Sequence, residues 1–333
     1  MNSTLRLATM GALTAGLVWW FLRGVDLAEA WRATLSARPD WIALSLAATA
    51  QTYVLRAARW RVLLEPLGRA RFGNALRSTI IGFAVSFILP FRPGEFVKPY
   101  LLARAEGFSA PATFATVVIE RVLDLAIMMC LFGWFLLRTS LDVGRVVRIA
   151  GGLSAAVALM GCGILALGAG HPERIARWAA RVMHFLPPRI ADLGAGSVRT
   201  FVQGLAVMRR PATLVKAAAV TLCLWLSIAL SIWAASRAFN LTFPFESTFL
   251  IMMFLLGGVT VPTPGGIGSF QAAYKAAVVL LFGAATRDSV VFAAANALWA
   301  LSVVPVQIVG LSLMTREGLT LGRLKTMSAE GNG

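Results

Sequence analysis

A short run of charged residues follows a proline in the first third of the chain. Arg92, Glu95 and Lys98 fall within seven residues, and Pro93-Gly94 comes directly after Arg92. A Pro-Gly pair is typical of a helix start, where free N–H groups and the helix dipole attract anions. A guanidinium also matches the oxygens of a phosphate. The pattern predicts a site for a phosphate-bearing headgroup. The alternative is a solvated loop in which Glu95 and Lys98 pair with each other.

A second set of ionisable residues interrupts the apolar segment 110–137. Glu120, Arg121 and Asp124 would each cost about 2.5–3.5 kcal/mol at the centre of a membrane span, so the segment needs a polar interior. On a helix, Glu120 and Asp124 share a face, and Arg121 lies one turn from Asp124. One interpretation is an internal clamp. Another is that Arg121 satisfies a single carboxylate and leaves the other acid to carry a proton.

A third candidate region carries no charge. It consists of two prolines, three glycines and one glutamine: Pro262, Pro264, Gly265, Gly266, Gly268 and Gln271. Glycine-rich turns let a ligand approach the backbone closely. The sequence contains no nucleotide-binding motif, nucleophile elbow or metal-ligand spacing. We therefore predict a binding site without catalytic residues, metal or cofactor.

The two proline-interrupted regions share one design, about 170 residues apart. Each is an apolar helix that ends at a proline, followed by a Pro-Gly turn and a restart on Gly-x-Phe that carries Phe-x-x-x-Tyr. The predicted hinges are Pro90 and Pro93 in the first region and Pro262 and Pro264 in the second. Matching interrupted segments in two halves of a membrane chain indicate a transporter's binding site.

The elements that must position these residues are apolar helices. The chain is 58% hydrophobic and 14% charged, and a membrane span needs about 20 apolar residues. Full candidate spans lie near 5–22, 41–64, 110–137, 149–169, 212–236 and 288–314. We predict an all-α polytopic membrane bundle of about six full spans. Two oppositely oriented, broken (re-entrant) helical hairpins related as an inverted repeat complete it.

Charge distribution gives the expected orientation. The net charge of +16 is concentrated in two connections, Arg56–Arg77 and Arg174–Lys216, so no nucleic-acid partner is predicted. Because cytoplasmic loops carry the Lys/Arg excess, both connections and both termini are expected on the cytoplasmic side. The number of basic residues on each side agrees with this orientation only if each hairpin enters and leaves the membrane on the same side. The first hairpin then enters from the cytoplasm and the second from outside.

A single transmembrane domain, 1–333, is therefore predicted, in two halves. The N-terminal half is 1–170 and the C-terminal half is 212–315. A basic amphipathic connector, 171–211, joins them, and 316–333 is a cytoplasmic tail. Residues 1–30 also fit a signal peptide with an Ala-x-Ala site, but the positive-inside count favours a retained first helix.

Three ordered stretches resemble the transmembrane domain of lysylphosphatidylglycerol synthases, a domain that also occurs alone in flippase-like membrane proteins. They are Leu89-Pro90-Phe91-Arg92-Pro93-Gly94-Glu95 with Lys98, then Glu120-Arg121-Val122-Leu123-Asp124, then Pro262-Thr263-Pro264-Gly265-Gly266-Ile267-Gly268. The resemblance covers about 5–315 and implies movement of a lipid headgroup between leaflets. It does not include the synthases' soluble aminoacyl-transfer domain, so lipid aminoacylation is not expected. Relatives often have an acidic residue where Gln271 stands, so no proton role is carried over to it.

The predicted function is flipping of a phospholipid or other phosphate-bearing lipid headgroup through a cavity between the two hairpins. The expected partners are membrane lipids with anionic headgroups, and possible further partners are lipid-synthesis or envelope enzymes. The expected location is the bacterial inner (plasma) membrane. Two alternatives stay open: a non-transporting member of a lipid- or envelope-modifying complex, and a membrane-embedded lipid-phosphate enzyme with Glu95 or Asp124 as base.

Overall fold

A computed structural model of the protein describes residues 26–88, 92–139, 210–261, 263–283 and 287–317, with isolated residues between 145 and 205. Every regular element in these ranges is helical, which confirms the all-α prediction. Helices α1 to α9 span Leu27–Leu35, Pro39–Leu64, Phe72–Ile88, Gly94–Glu106, Ala110–Arg138, Pro211–Ala238, Ser247–Thr260, Ser269–Phe282 and Asp288–Arg316. A short 3-10 helix, Pro264–Gly266, lies between α7 and α8.

The long helices agree with the predicted spans. By length and composition, α6 and α9 are apolar enough to cross a membrane. Helices α2 and α5 are of similar length but carry ionisable side chains. The predicted span 5–22 lies outside the described residues, as do nearly all of the connector 171–211 and the tail 316–333, and the span 149–169 is described only in part. The chain is a helical membrane bundle, and its number of spans stays a prediction.

Both interrupted regions fold as two helices joined by a turn. The first hairpin (72–106) consists of α3 and α4, and the second hairpin (247–282) consists of α7, the 3-10 helix and α8. Pro93 is the N-cap of α4, and Pro264 begins the 3-10 helix. The other two predicted hinge residues, Pro90 and Pro262, lie outside the described residues.

A glycine lets the two helices of each hairpin approach closely. In the first hairpin, a Cβ atom on Gly94 would lie 1.8 Å from the carbonyl oxygen of Gly82. In the second hairpin, a Cβ atom on Gly258 would lie 2.8 Å from the carbonyl oxygen of Ser269. Small residues permit such backbone contacts between membrane helices. Both hairpins thus use a glycine for close helix packing, although Gly94 lies in the second helix of its hairpin and Gly258 in the first helix of its own.

Helices α2 and α6, which precede the two hairpins, pack against each other in opposite directions. At one end, the Arg38 N–H donates to the Ala238 carbonyl over 3.0 Å. At the other end, the Thr213 hydroxyl donates to Glu65 over 3.4 Å. Corresponding helices of two repeats run antiparallel when the repeats are inverted, so this packing agrees with the predicted inverted repeat. The membrane side from which each hairpin enters stays a prediction.

Candidate functional site

A buried ion pair connects the first hairpin to the long helix that follows it. The Nζ atom of Lys98 in α4 lies 2.5 Å from Oε2 of Glu120 in α5, and both side chains are buried. The ammonium also lies 4.1 Å from the ring centroid of Trp60 in α2, an attractive cation–π arrangement. Lys98 therefore holds three helices together. The alternative pairing of Lys98 with Glu95 is not present.

Arg59 is the centre of the buried charge network. Its guanidinium hydrogen-bonds to both carboxylate oxygens of Asp124, and its Nη2 atom lies 3.5 Å from Oε1 of Glu120. The residue is fully buried, at 0% exposure. Asp124 also accepts a hydrogen bond of 3.1 Å from the indole nitrogen of Trp225 in α6. The geometry confirms that Glu120 and Asp124 share one face of α5.

Sequence reasoning missed this role of Arg59. It placed Arg56, Arg59 and Arg61 in a connection between spans, whereas all three lie in α2, which continues to Leu64. The available signal was the overlap of these arginines with the predicted span 41–64, since a charge within a span needs a partner. Arg56 and Arg59 must therefore be removed from the positive-inside count, and the orientation remains a prediction.

Arg121 is the most exposed cation of the network. Its Nε atom lies 3.5 Å from Oε2 of Glu95, and its Nη1 atom lies 3.6 Å from Oδ2 of Asp124. The predicted pairing with Asp124 is thus present, but the expected leftover acid is not. Glu120 is paired with Lys98 and Arg59, so neither carboxylate lacks a cation. A proton-carrying role for these acids stays a prediction.

A partly open cavity of about 240 Å³ lies between the two hairpins. Side chains from both hairpins line it, as do residues of α2, α5, α6 and α9. The charged and aromatic members include Arg56, Phe83, Arg92, Asp124, Trp225 and Phe270. The 3-10 helix of the second hairpin also packs against α3 of the first. The predicted meeting of the two hairpins at one cavity is therefore observed.

The cavity and the ion-pair network together have an excess of positive charge. Five cations, Arg56, Arg59, Arg92, Lys98 and Arg121, accompany three carboxylates, Glu95, Glu120 and Asp124. Five minus three leaves two positive charges. The carboxylates pair with Arg59, Lys98 and Arg121, whereas Arg56 and Arg92 form no ion pair with a carboxylate of the described residues. The excess therefore resides on two arginines of the cavity wall.

The backbone of Arg92 is strained. Its φ is 52°, in the left-handed region, where a non-glycine residue costs about 1–3 kcal/mol. Such strain persists when the surrounding structure enforces it, and it is concentrated at ligand and switch sites. The side chain lines the cavity. The sequence prediction of Arg92 as a binding residue therefore agrees with its position.

The predicted residues of the second region have mainly structural contacts. Gly265, Gly266 and Gly268 have positive φ angles. The Gln271 Oε1 atom accepts from the Gly268 N–H over 2.8 Å, and its Nε2 atom donates to Asn296 over 3.3 Å. None of these four residues lines the cavity; its wall at the second hairpin includes Val259 and Phe270 instead. Gly94, Glu95, Lys98 and Glu120, which were also predicted as site residues, are not among the residues that line the cavity.

The fold and site define a helical membrane protein with a positively charged cavity between two interrupted hairpins. A family model described as the lysylphosphatidylglycerol synthase TM region matches residues 6–309. The chain belongs to this family, which confirms the resemblance and indicates a function related to membrane lipids. In the part of the chain that the structure describes, no group of three or more His, Cys, Asp or Glu side chains is placed to hold a metal ion.

Two curated proteins are similar to parts of this chain. The UPF0104 membrane protein MJ1595 of Methanocaldococcus jannaschii is 31% identical over 98 residues, which cover 28% of this chain and 29% of that protein. Glycosyltransferase AglD of Haloferax volcanii is 24% identical over 279 residues, which cover 75% of this chain and 45% of that protein. The chain therefore spans less than half the length of either relative.

Proposed function

We propose that this protein moves a lipid with an anionic, phosphate-bearing headgroup across the membrane, and that it does so without catalysing a reaction. The observation that carries the proposal is the pair of arginines, Arg56 and Arg92, on the wall of a cavity between two hairpins. Guanidinium groups bind phosphate oxygens through paired hydrogen bonds. Arginines that form no ion pair with a carboxylate of the described residues can bind an anionic ligand.

The cavity also suits the apolar part of a lipid. Its wall contains aromatic and aliphatic side chains from both hairpins, among them Phe83, Phe87, Val259 and Phe270. The headgroup would lie at Arg56 and Arg92, and the acyl or prenyl chains would extend past these apolar residues into the bilayer. Movement of one hairpin against the other would then open the cavity to either leaflet in turn, as in transporters built from inverted repeats.

The orientation belongs to the same proposal. The chain would be a multi-pass protein of a bacterial inner membrane with both termini in the cytoplasm, because the remaining basic connections favour that side. The first hairpin would then enter from the cytoplasmic side and the second from outside. The same proposal includes a protein partner, an enzyme of lipid or envelope synthesis. One relative, AglD, is named as a glycosyltransferase.

Lipid movement can be measured with purified protein in liposomes. Vesicles of phosphatidylcholine with a trace of fluorescent phosphatidylglycerol are treated with dithionite, which bleaches only the outer-leaflet probe. We expect wild-type protein to make the inner-leaflet probe accessible and Arg92→Ala to slow this about 10- to 100-fold, because a hydrogen bond to a charged group contributes about 1.5–3 kcal/mol.

Arg316→Ala is the matched control, because it removes the same side chain from an exposed site at the end of α9. It should transport at the wild-type rate. If wild-type protein moves no anionic lipid, the proposal is contradicted and the non-transporting partner becomes the better interpretation. If Arg92→Ala transports normally, the cavity is not the headgroup site.

A further inference from the structure

We infer that the cavity selects lipids whose headgroup carries phosphate charge and no amine, and that it rejects aminoacylated headgroups such as lysylphosphatidylglycerol. The inference rests on the proposed function, because it specifies the substrate class of the same cavity. By this inference, the chain does not transport the lipid that appears in its family's name. Three features of the cavity wall support it: its charge, its hydrogen-bonding groups and its size.

The charge of the wall opposes a cationic headgroup. Arg56 and Arg92 both line the cavity, and neither forms an ion pair with a carboxylate of the described residues. The guanidinium of Arg56 lies 4.6 Å from the ring centroid of Phe83, which fixes it beside an apolar surface. A lysine ester adds two ammonium groups to the single phosphate charge, so the headgroup becomes net positive. Like charges in a partly desolvated cavity repel strongly.

The hydrogen-bonding groups of the wall also disfavour an amine. Asp124 is the only carboxylate among the described residues that line the cavity, and it already accepts from Arg59 and Trp225. The Ser231 hydroxyl bonds to the Thr49 hydroxyl over 2.8 Å, and the Thr52 hydroxyl donates to the Thr49 carbonyl. An ammonium needs acceptors, and the one carboxylate of the described wall is already shared by Arg59 and Trp225. A phosphate needs donors, and the two arginines provide them.

The size of the cavity favours a compact headgroup. Its volume of about 240 Å³ is below the roughly 300–1,000 Å³ of sites that hold drug-sized ligands. Phosphate or phosphoglycerol is small enough to enter such a space, whereas an esterified lysine adds a long side chain to the same headgroup. Size and charge therefore both disfavour the lysyl headgroup.

Binding of short-chain lipids to the purified, full-length protein tests the inference. Dioctanoyl phosphatidylglycerol and dioctanoyl lysylphosphatidylglycerol are each titrated against a fluorescent phosphatidylglycerol probe bound to the protein in detergent. We expect the lysyl lipid to bind at least about tenfold more weakly, with a free-energy difference of at least about 1.4 kcal/mol. Dioctanoyl phosphatidylcholine, which is zwitterionic, should lie between the two.

Variants connect the preference to the two arginines. In a protein with both Arg56→Gln and Arg92→Gln, the preference should fall to about twofold or less, since the excess charge is gone. A protein with Arg56→Lys and Arg92→Lys keeps that charge, so it should still prefer the anionic lipid. Arg316→Gln, which makes the same chemical change at an exposed site, should match the wild type. Thermal unfolding of each variant shows whether it is folded.

The outcomes separate this inference from the proposed function. If wild-type protein binds and transports phosphatidylglycerol but binds the lysyl lipid as tightly or more tightly, the selection is contradicted and lipid transport stands. If the double glutamine variant is folded and keeps the full preference, the assignment to Arg56 and Arg92 is contradicted. If neither lipid binds and neither is transported, the proposed function itself fails.

Discussion

Replacement of Arg59 by methionine is expected to cost about 3–5 kcal/mol of folding free energy. The substitution removes the guanidinium that bonds to the buried Asp124 carboxylate and lies beside Oε1 of Glu120. A buried ion whose partner is removed keeps its full desolvation cost. The thermal unfolding midpoint of purified Arg59→Met in detergent should fall by roughly 5 °C or more relative to wild type.

Two further variants show whether the loss comes from the uncompensated charge. Arg61→Met lies on the same helix, but the Arg61 guanidinium donates to the Ala70 carbonyl and lies 6.0 Å from the ring centroid of Phe72 without pairing with a carboxylate of the described residues, so we expect a loss of about 1 kcal/mol. The double variant with Arg59→Met and Asp124→Leu removes both members of the main pair and should recover part of the lost stability. Unchanged stability of Arg59→Met would contradict the network described above.

Gly94→Ala is expected to prevent closure of the first hairpin. The added Cβ atom would lie 1.8 Å from the Gly82 carbonyl oxygen and 2.4 Å from the Ser86 hydroxyl. Backbone atoms cannot be displaced as a flexible side chain can, so α3 and α4 must separate. We expect a loss of about 3 kcal/mol or more and loss of lipid transport, because Arg92 lies in the turn between these helices. Thermal unfolding and the liposome assay measure the two effects.

Gly73→Ala is the matched control within the same hairpin. Its Cβ atom would meet nothing within 4 Å, and alanine is the better helix former by about 1 kcal/mol. The variant should be at least as stable as wild type and should transport normally. A Gly94→Ala protein with wild-type stability and transport would contradict the close packing of the first hairpin.

The sequence was sufficient to predict the helical class, the two hairpins and one side of the ion-pair network. Helix breaks depend on local proline and glycine chemistry, so the turn at Pro93 and the restart at Gly268 could be predicted from a few residues. The cost of burying charge also indicated that Glu120 and Asp124 need partners. These predictions depend on the properties of single residues and of their neighbours in sequence, so the sequence alone is enough to make them.

The partners themselves could not be predicted in the same way. Arg59 and Asp124 are 65 positions apart and meet only because α2 and α5 pack together. Arg56 was assigned to a loop because the positive-inside rule counts basic residues near span ends without regard to their burial. Gln271 was predicted to bind substrate, but its amide caps the start of α8 and contacts Asn296. Such contacts depend on tertiary packing.

The two halves use related connections of different polarity. In the first half, Lys98 of the second hairpin helix pairs with Glu120 in the following long helix. In the second half, Gln271 of the second hairpin helix bonds to Asn296 in the long helix that follows, and Lys275 pairs with Asp288 at the start of that long helix. Hydrogen bonds between neutral groups contribute less than those to charged groups. The charged side chains that line the cavity nevertheless all come from the first half, where we propose that the headgroup binds, while the second half supplies uncharged side chains.

Thiol modification within the cavity tests the proposed lipid path most directly. In a background where the chain's three cysteines are replaced by alanine, Val259→Cys places a thiol on the wall formed by the second hairpin. Leu137→Cys is the control, because that side chain is 86% exposed near the end of α5.

Both proteins are labelled with a bulky maleimide, and the transport of fluorescent phosphatidylglycerol is measured before and after labelling. We expect labelling to abolish transport by the Val259→Cys protein and to leave the control unchanged. Undiminished transport through a fully labelled Val259→Cys protein would contradict a lipid path between the two hairpins.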